Sequence, residues 1–427
     1  MKTRNRRRSA WMRLALVLSV SMIAAGASVA NDSSAVEPAV REGSGTGWLP
    51  ESTPSAGRGI QRGPWDLMLH YNVFAGISFQ DAPENLTEGF TSNWLMGMAR
   101  YSSVGTLTLR GMLSLEAPFL GDEGYPLVLQ TGETSGGVPL VDRQHPHDLF
   151  MELALQYARP LGRRVGVEFY LAPVGEPALG PAAFPHRVSA ATDPMAPLGH
   201  HWQDSTHIAF GVLTAGVYST RVKFEGSVFN GREPDEDRYD LDFGSLDSYS
   251  ARLTVNPSAN WSLQASYGYL TEPESLEPDT DVRRLTASLV YNRPLAIGNW
   301  ASTLVWGRNE PVGERASAAI LAESSWTSGP DAVFGRVEYV QKSGHDFALE
   351  GEDAHARLPV RALSLGYSRR VANLSGLEIA VGGRIAVGFV GETLERRYGT
   401  SSPVSGALFL ELRPAGGTNS SHSHHGM

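Results

Sequence analysis

From Trp65 to Leu412, apolar and polar side chains alternate at every second position in run after run. In the first run Leu67, Leu69, Tyr71, Val73, Ala75, Ile77 and Phe79 stand against Met68, His70, Asn72, Phe74, Gly76 and Ser78, which are mostly small or polar. A period of two belongs to the β-strand, whose successive side chains point to opposite faces. A chain built almost wholly of such runs, behind an export-type N-terminus, is expected to close into a barrel. In a bilayer only helices and closed barrels satisfy every backbone hydrogen bond.

The N-terminus reads as a signal peptide over residues 1–30. Lys2, Arg4, Arg6, Arg7 and Arg8 form a basic region, Trp11 to Ala24 an apolar one, and Ser28-Val29-Ala30 a small-residue cleavage site before Asn31. The apolar run is shorter than the roughly 20 residues a spanning helix needs, which disfavours an uncleaved anchor. Cleavage removes six basic residues and no acidic one, so the formal charge moves from −9 to −15. Such a chain lacks the basic surface that nucleic acid requires. Cysteine is absent, which excludes disulfides, thiolate metal sites and cysteine nucleophiles. Residues 31–64, rich in Gly, Ser, Pro and Glu, read as a disordered periplasmic leader, and 414–427 as a disordered His-rich tail.

Between them, 65–413 is expected to form a transmembrane antiparallel β-barrel of about sixteen strands, with boundary errors of a few residues allowing fourteen to eighteen. The strands are placed near 66–79, 93–102, 105–116, 147–158, 164–173, 206–217, 220–230, 248–255, 260–270, 281–291, 300–308, 316–327, 331–341, 359–370, 376–390 and 403–412. Connections after even strands are short, such as Ser103-Val104, while those after odd strands are mostly longer, such as 117–146 and 174–205. Short periplasmic turns opposite long external loops are the expected asymmetry of bacterial barrels. Tyr71, Tyr101, Tyr157, Tyr218, Tyr267, Tyr291, Trp300, Tyr339 and Tyr367 near the run ends suit interfacial girdles. A soluble β-propeller or sandwich would alternate in the same way but would not sort its loops by parity.

Charged residues on the alternate face must point into the barrel, since Arg or Lys facing lipid at the midplane costs about 2–4 kcal/mol. The expected lumen set is Arg100, Arg110, Glu116, Glu152, Arg164, Glu168, Arg221, Lys223, Arg252, Arg284, Arg336, Glu338, Glu378 and Arg384, with Glu225, Glu323 and Glu411 alongside. Both signs are interspersed, so the wall reads either as a wet channel surface or as an ion-paired lattice filling the lumen. Barrels of sixteen to eighteen strands leave room for an aqueous channel.

Six of the twelve histidines lie between 145 and 207. His145, His147, His186, His200, His201 and His207, with Asp204 and Met195 near them, are candidate ligands for a Cu or Zn ion, because imidazole suits both metals. The competing reading is that they tie a long Pro-rich loop into the barrel mouth. His422, His424, His425 and Met427 form a weaker metal signal. Nothing supports catalysis: Ser205 and His207 are too close in sequence to make a triad by default, and there is no Gly-x-Ser-x-Gly elbow.

The segments HPHDLFMELALQYARPL, GEPALGPAAFPHR and APLGHHWQDSTHIAFGVLTAGVY resemble an uncharacterised family of porin-like Gram-negative outer-membrane β-barrels. The resemblance covers about a fifth of the chain and implies location in the outer membrane. The sequence therefore leads to a non-enzymatic, porin-like passive diffusion channel for small polar solutes or ions that requires no cofactor. Its expected partners are outer-membrane lipid and, during biogenesis, the barrel assembly machinery. Two alternatives remain: metal handling through the His-rich loop, or a plugged structural barrel.

Overall fold

A computed structural model describes residues 43–55 and 57–415. The expected signal peptide, most of the expected leader and the tail from residue 416 lie outside the described residues. Sixteen antiparallel strands follow in chain order: β1 (Trp65–Gln80), β2 (Leu86–Ser102), β3 (Thr106–Leu113), β4 (Phe150–Pro160), β5 (Gly166–Gly175), β6 (Ala209–Tyr218), β7 (Val222–Phe229) and β8 (Ser248–Ser258), then β9 (Trp261–Leu270), β10 (Val282–Leu295), β11 (Gly298–Pro311), β12 (Ser317–Ser328), β13 (Asp331–Ser343), β14 (Arg357–Leu374), β15 (Leu377–Phe389) and β16 (Val404–Pro414). Each pairs with the next. β1 closes the ring on β16, from Val73 opposite Leu412 to Gln80 opposite Ser405. Below that seam Arg58–Arg62 turns back on Trp65–Leu69 as a hairpin, so the lower edge of β1 is covered too.

All sixteen expected strands are present and the parity holds. Short turns (103–105, 161–165, 219–221, 259–260, 296–297, 329–330 and 375–376) sit at one end. At the other end are loops L1 (81–85), L2 (114–149), L3 (176–208), L4 (230–247), L5 (271–281), L6 (312–316), L7 (344–356) and L8 (390–403). L1 is shorter than expected because β2 begins at Leu86, where its residues already pair in register with the end of β1.

The outward face is apolar and exposed: Leu363, Leu365, Val337 and Ile385 are each more than half exposed. Aromatic rings collect near the ends, with Trp65 on Tyr101, Trp261 and Trp300 on Tyr291, and Tyr249 stacked on Tyr269. A closed barrel wearing such a band is built to stand in lipid. Tyr218 corrects the expected girdle. It lies on the inward register of β6, fully buried against Trp48 and Ala158.

The leader departs from expectation. Residues 43–50, assigned to a disordered segment, lie inside the barrel, with Ser44, Thr46, Trp48 and Leu49 buried. The reason is hydrogen bonding to the inner wall. Arg110 donates to the Gly45 carbonyl (2.6 Å), Lys223 to the Thr46 carbonyl, Arg252 to Thr46 Oγ1 (2.8 Å) and Asn256 to the Leu49 carbonyl (2.9 Å). Ser52 then bonds at the short-turn end, its amide to Ala259 and its hydroxyl to Asn292. Composition alone hides this, because the segment is ordered by partners far away in sequence.

The seam sets a steric limit. A Cβ on Gly76 would stand 2.0 Å from the Leu408 carbonyl oxygen of β16, whereas a Cβ on Gly97 meets nothing within 4 Å. Gly76→Ala is therefore expected to reduce the fraction of heat-resistant, fast-migrating barrel on semi-native gels, while Gly97→Ala refolds like the parent. Equal refolding of the two variants would contradict the seam register.

Candidate functional site

L3 turns inward and crosses the lumen. Alanines and prolines keep its cross-section small, and the wall satisfies its backbone. Ser227 of β7 accepts from the Ala178 amide (2.7 Å), Ser266 of β9 from that of Gly180 (2.9 Å), and Glu338 of β13 from that of Leu198 (2.7 Å). At its far side Asn72 of β1 donates to the Ala191 carbonyl (2.9 Å). Trp202 donates to Ser317 of β12 (2.8 Å). A buried backbone needs such partners, and the inward Ser227 and Ser266 supply two of them.

Six charges then run in alternation between loop and wall. Asp204 meets Arg187 at 2.5 Å, Arg187 meets Glu323 at 2.8 Å, and Glu323 meets Arg336 at 3.3 Å. Arg336 reaches Asp193 at 3.7 Å, and Asp193 meets Arg384 at 3.0 Å. Arg187, Asp193 and Asp204 belong to L3, the other three to β12, β13 and β15, and all six are buried. Burial alone would raise the Asp204 pKa, but Arg187 and then His200 outweigh it and hold that carboxyl well below the ordinary range. A second network, Glu168–Lys223–Glu225 with Arg252, holds the N-terminal segment.

Of the fourteen expected wall residues, Arg110, Glu152, Glu168, Lys223, Arg252, Arg284, Arg336, Glu338, Glu378 and Arg384 are inward and buried, and Arg100 is inward and half-buried. Three are corrected. Arg164 and Arg221 are exposed in short turns beyond the strand ends, where the alternation stops. Glu116 lies in L2, where it accepts from the amides of Asn93 and His147 (3.0 Å each).

The histidines gather at the loop end. Ring centroids are 6.1 Å apart for His145 and His147, 5.5 Å for His147 and His207, 5.0 Å for His207 and His200, and 5.7 Å for His200 and His201. Several have one ring nitrogen already engaged: His147 Nδ1 by Glu116 (2.8 Å), His200 Nδ1 by Asp204 (2.7 Å), His207 Nδ1 by the Asp204 carbonyl (2.9 Å) and His145 Nδ1 by the Pro146 carbonyl (3.0 Å). A carbonyl only accepts, so in His145 and His207 Nδ1 carries the hydrogen and Nε2 of the neutral ring the lone pair; His145 Nε2 stands 3.1 Å from Glu133 Oε1. Burial first, and then neighbouring positive charge, lowers both of their pKa values well below the ordinary one. Orientation of an imidazole by an outer partner is also how proteins aim metal ligands.

His186 does not join them. It packs on Trp94 and His70 (4.9 and 6.3 Å between centroids). Beside it lies a cavity of about 20 Å³ lined by Met112, Met151, Glu152, Glu176 and His207 among others. Met112 and Met151 pack with Met96 and Met98 in one apolar cluster, which sequence reasoning missed although Met96 and Met98 stand two apart on the inward face of β2. Sequence reasoning missed Glu133, Glu233 and Glu274 as well. These come from L2, L4 and L5 and surround His201, with no spacing signal to connect them.

No family model matches the chain, so the resemblance of the three quoted segments gains no support there, and no curated protein matches it either. Solved structures do. The chain is similar to an anion-selective porin from Comamonas acidovorans (TM-score 0.51, 9% identity, covering 82% of this chain and 99% of that one). It is likewise similar to OmpF of Salmonella typhi in a complex with daunomycin (TM-score 0.51, 10% identity, 83% and 100% covered). The fold is that of a porin. At such identities the likeness carries the architecture and leaves the lumen to be read from this chain's own residues.

Removing one partner of a buried pair costs about 3–5 kcal/mol because the other charge stays buried and unpaired. Arg187→Ala removes the cation that Asp204 and Glu323 share, leaving His200 beside the first and Arg336 beside the second. Amide hydrogen exchange across 182–204 is expected to accelerate strongly in this variant while the strands stay protected. Unchanged exchange in the loop would show that the ion chain does not hold it.

Proposed function

We propose that this protein is an outer-membrane channel held closed at rest, passing small polar solutes when L3 shifts within the lumen. The observation that carries this reading is the burial of the inner wall. In an open porin the wall charges face water, whereas here Lys223, Glu225, Arg252, Arg284, Arg336 and Glu411 are at most 2% exposed, under L3, the N-terminal segment or one another. This departs from the steady passive pore that the strand count first suggests.

Buried ion pairs are poor stabilisers compared with apolar packing of the same volume. Their use here favours a plug that can exchange its partners for water over a permanent core. A permanently plugged structural barrel is the second reading, favoured by the N-terminal segment, which doubles the filling from the opposite end.

Planar-bilayer recording of the refolded protein tests the choice. Wild type is expected to show rare, brief openings, and a variant with 178–206 replaced by a short Gly/Ser linker long-lived ones of porin size. Steady large steps from wild type would contradict the closed state. A loop-deleted, folded barrel with no conductance would contradict the channel and leave the permanent plug.

A further inference from the structure

Four loops meet at His201. Its Nδ1 lies 3.2 Å from Glu233 Oε1 and 3.7 Å from Glu274 Oε2, and its Nε2 lies 3.7 Å from Glu133 Oε1. The same Glu133 oxygen stands 3.1 Å from His145 Nε2. Potential ligand atoms of Glu133, His201 and Glu233 all fall within 4.8 Å of one another. The side chains are well covered, at 15% exposure for Glu133, 12% for Glu233 and 5% for His201. The approach is built into the backbone: Gly132 has φ +117°, and a Cβ there would stand 2.9 Å from His201 Nε2. From below, Asn309 of β11 donates to the His201 carbonyl (3.0 Å) and fixes the helical turn His200–Gln203.

The acceptors at this point outnumber the protons obviously available. His145 donates Nδ1–H to Pro146, so its Nε2 lone pair faces a carboxylate oxygen at 3.1 Å, an arrangement that needs a proton or a cation between them. Three carboxylates stand around one imidazole, while Arg238 and Arg284 each reach the rim of the group at only 3.7 Å.

We infer that Glu133, His145, His201, Glu233 and Glu274 form a binding site for a divalent transition-metal ion of the Zn(II) or Cu(II) kind. Mixed imidazole and carboxylate donors without thiolate select such borderline ions, whereas Ca(II) and Mg(II) take all-oxygen sets. The carboxylates reorient about the ion, and the metal takes one nitrogen of His201. Binding itself does not depend on the channel reading. A role in presenting the ion to the closed lumen below does rest on it.

The test uses the full refolded chain in a background where His422, His424 and His425 are Ala, so that the tail does not report. After chelator treatment, calorimetric titration with Zn(II) and with Cu(II) is expected to show one tight site per chain for at least one of them, and none for Ca(II). Glu233→Gln and His201→Gln are each expected to weaken it at least tenfold, while His355→Ala, in the exposed pair of L7, leaves it unchanged. His145→Gln, at the edge of the group, repeats the test without touching the His201 turn, and semi-native gels confirm the folded barrel for each variant. Co(II) gives a second readout, a visible ligand-field spectrum present in wild type and lost in Glu233→Gln. Absence of Zn(II) and Cu(II) binding, or equal binding by wild type and all three site variants, overturns the site and leaves a proton-bridged ion-pair cluster. Because these readouts need no current, they stand or fall separately from the bilayer recordings.

Discussion

Arg187 is the interaction on which the rest of the interior depends. It is fully buried and holds one carboxylate of its own loop, Asp204, and one of the wall, Glu323, while also donating to the Ala182 carbonyl (3.0 Å). Without it the loop and the wall would present facing negative charges in a region shielded from water. With it, Glu323 can bind Arg336 across the β12–β13 ladder, where the two stand directly opposite. Arg336 and Arg384 in turn anchor Asp193 at the far side of the barrel. The loop is thus tied to the wall by a chain of alternating charge rather than by an apolar core.

The same interaction orders the mouth. Asp204, fixed by Arg187, engages His200 through its side chain and His207 through its carbonyl. Fixing that turn aims the neighbouring His201 toward L2, L4 and L5. Glu236 of L4 clasps L2 by accepting from Thr134 and from the amides of Gly136 and Gly137 (2.5, 2.7 and 3.0 Å), so Glu133 is carried to the same place. The lumen network and the covered cluster at the loop end are therefore parts of one construction.

How much of this the sequence discloses follows from which forces act locally. Alternation is local, so the sixteen strands, their parity and the inward sense of Arg110, Lys223, Arg252 and Arg336 were legible. It stops at the strand ends, and that is why Arg164 and Arg221 were assigned to the lumen and lie instead in exposed turns. The histidine-rich stretch was legible as a cluster, yet nothing in its spacing separates His186, which packs on Trp94, from His200 and His207. The carboxylates around His201 come from positions 133, 233 and 274 and are joined only by loop folding. The leader's burial was hidden for the same reason: Thr46 is ordered by Lys223 and Arg252, nearly two hundred residues or more away.

The proposed resting state, with L3 filling the lumen, makes L3 inaccessible to water-soluble reagents. Because the chain has no cysteine, a single introduced thiol reports its own accessibility. Ala190, in the middle of L3, is buried, while Val138, on the L2 hairpin, is exposed. In intact membranes a water-soluble maleimide should label Val138→Cys rapidly and Ala190→Cys slowly, with the second rate rising when Arg187→Ala is added. Rapid labelling of Ala190→Cys in the otherwise unaltered barrel would mean that the lumen is open to water and the account of a closed interior is wrong.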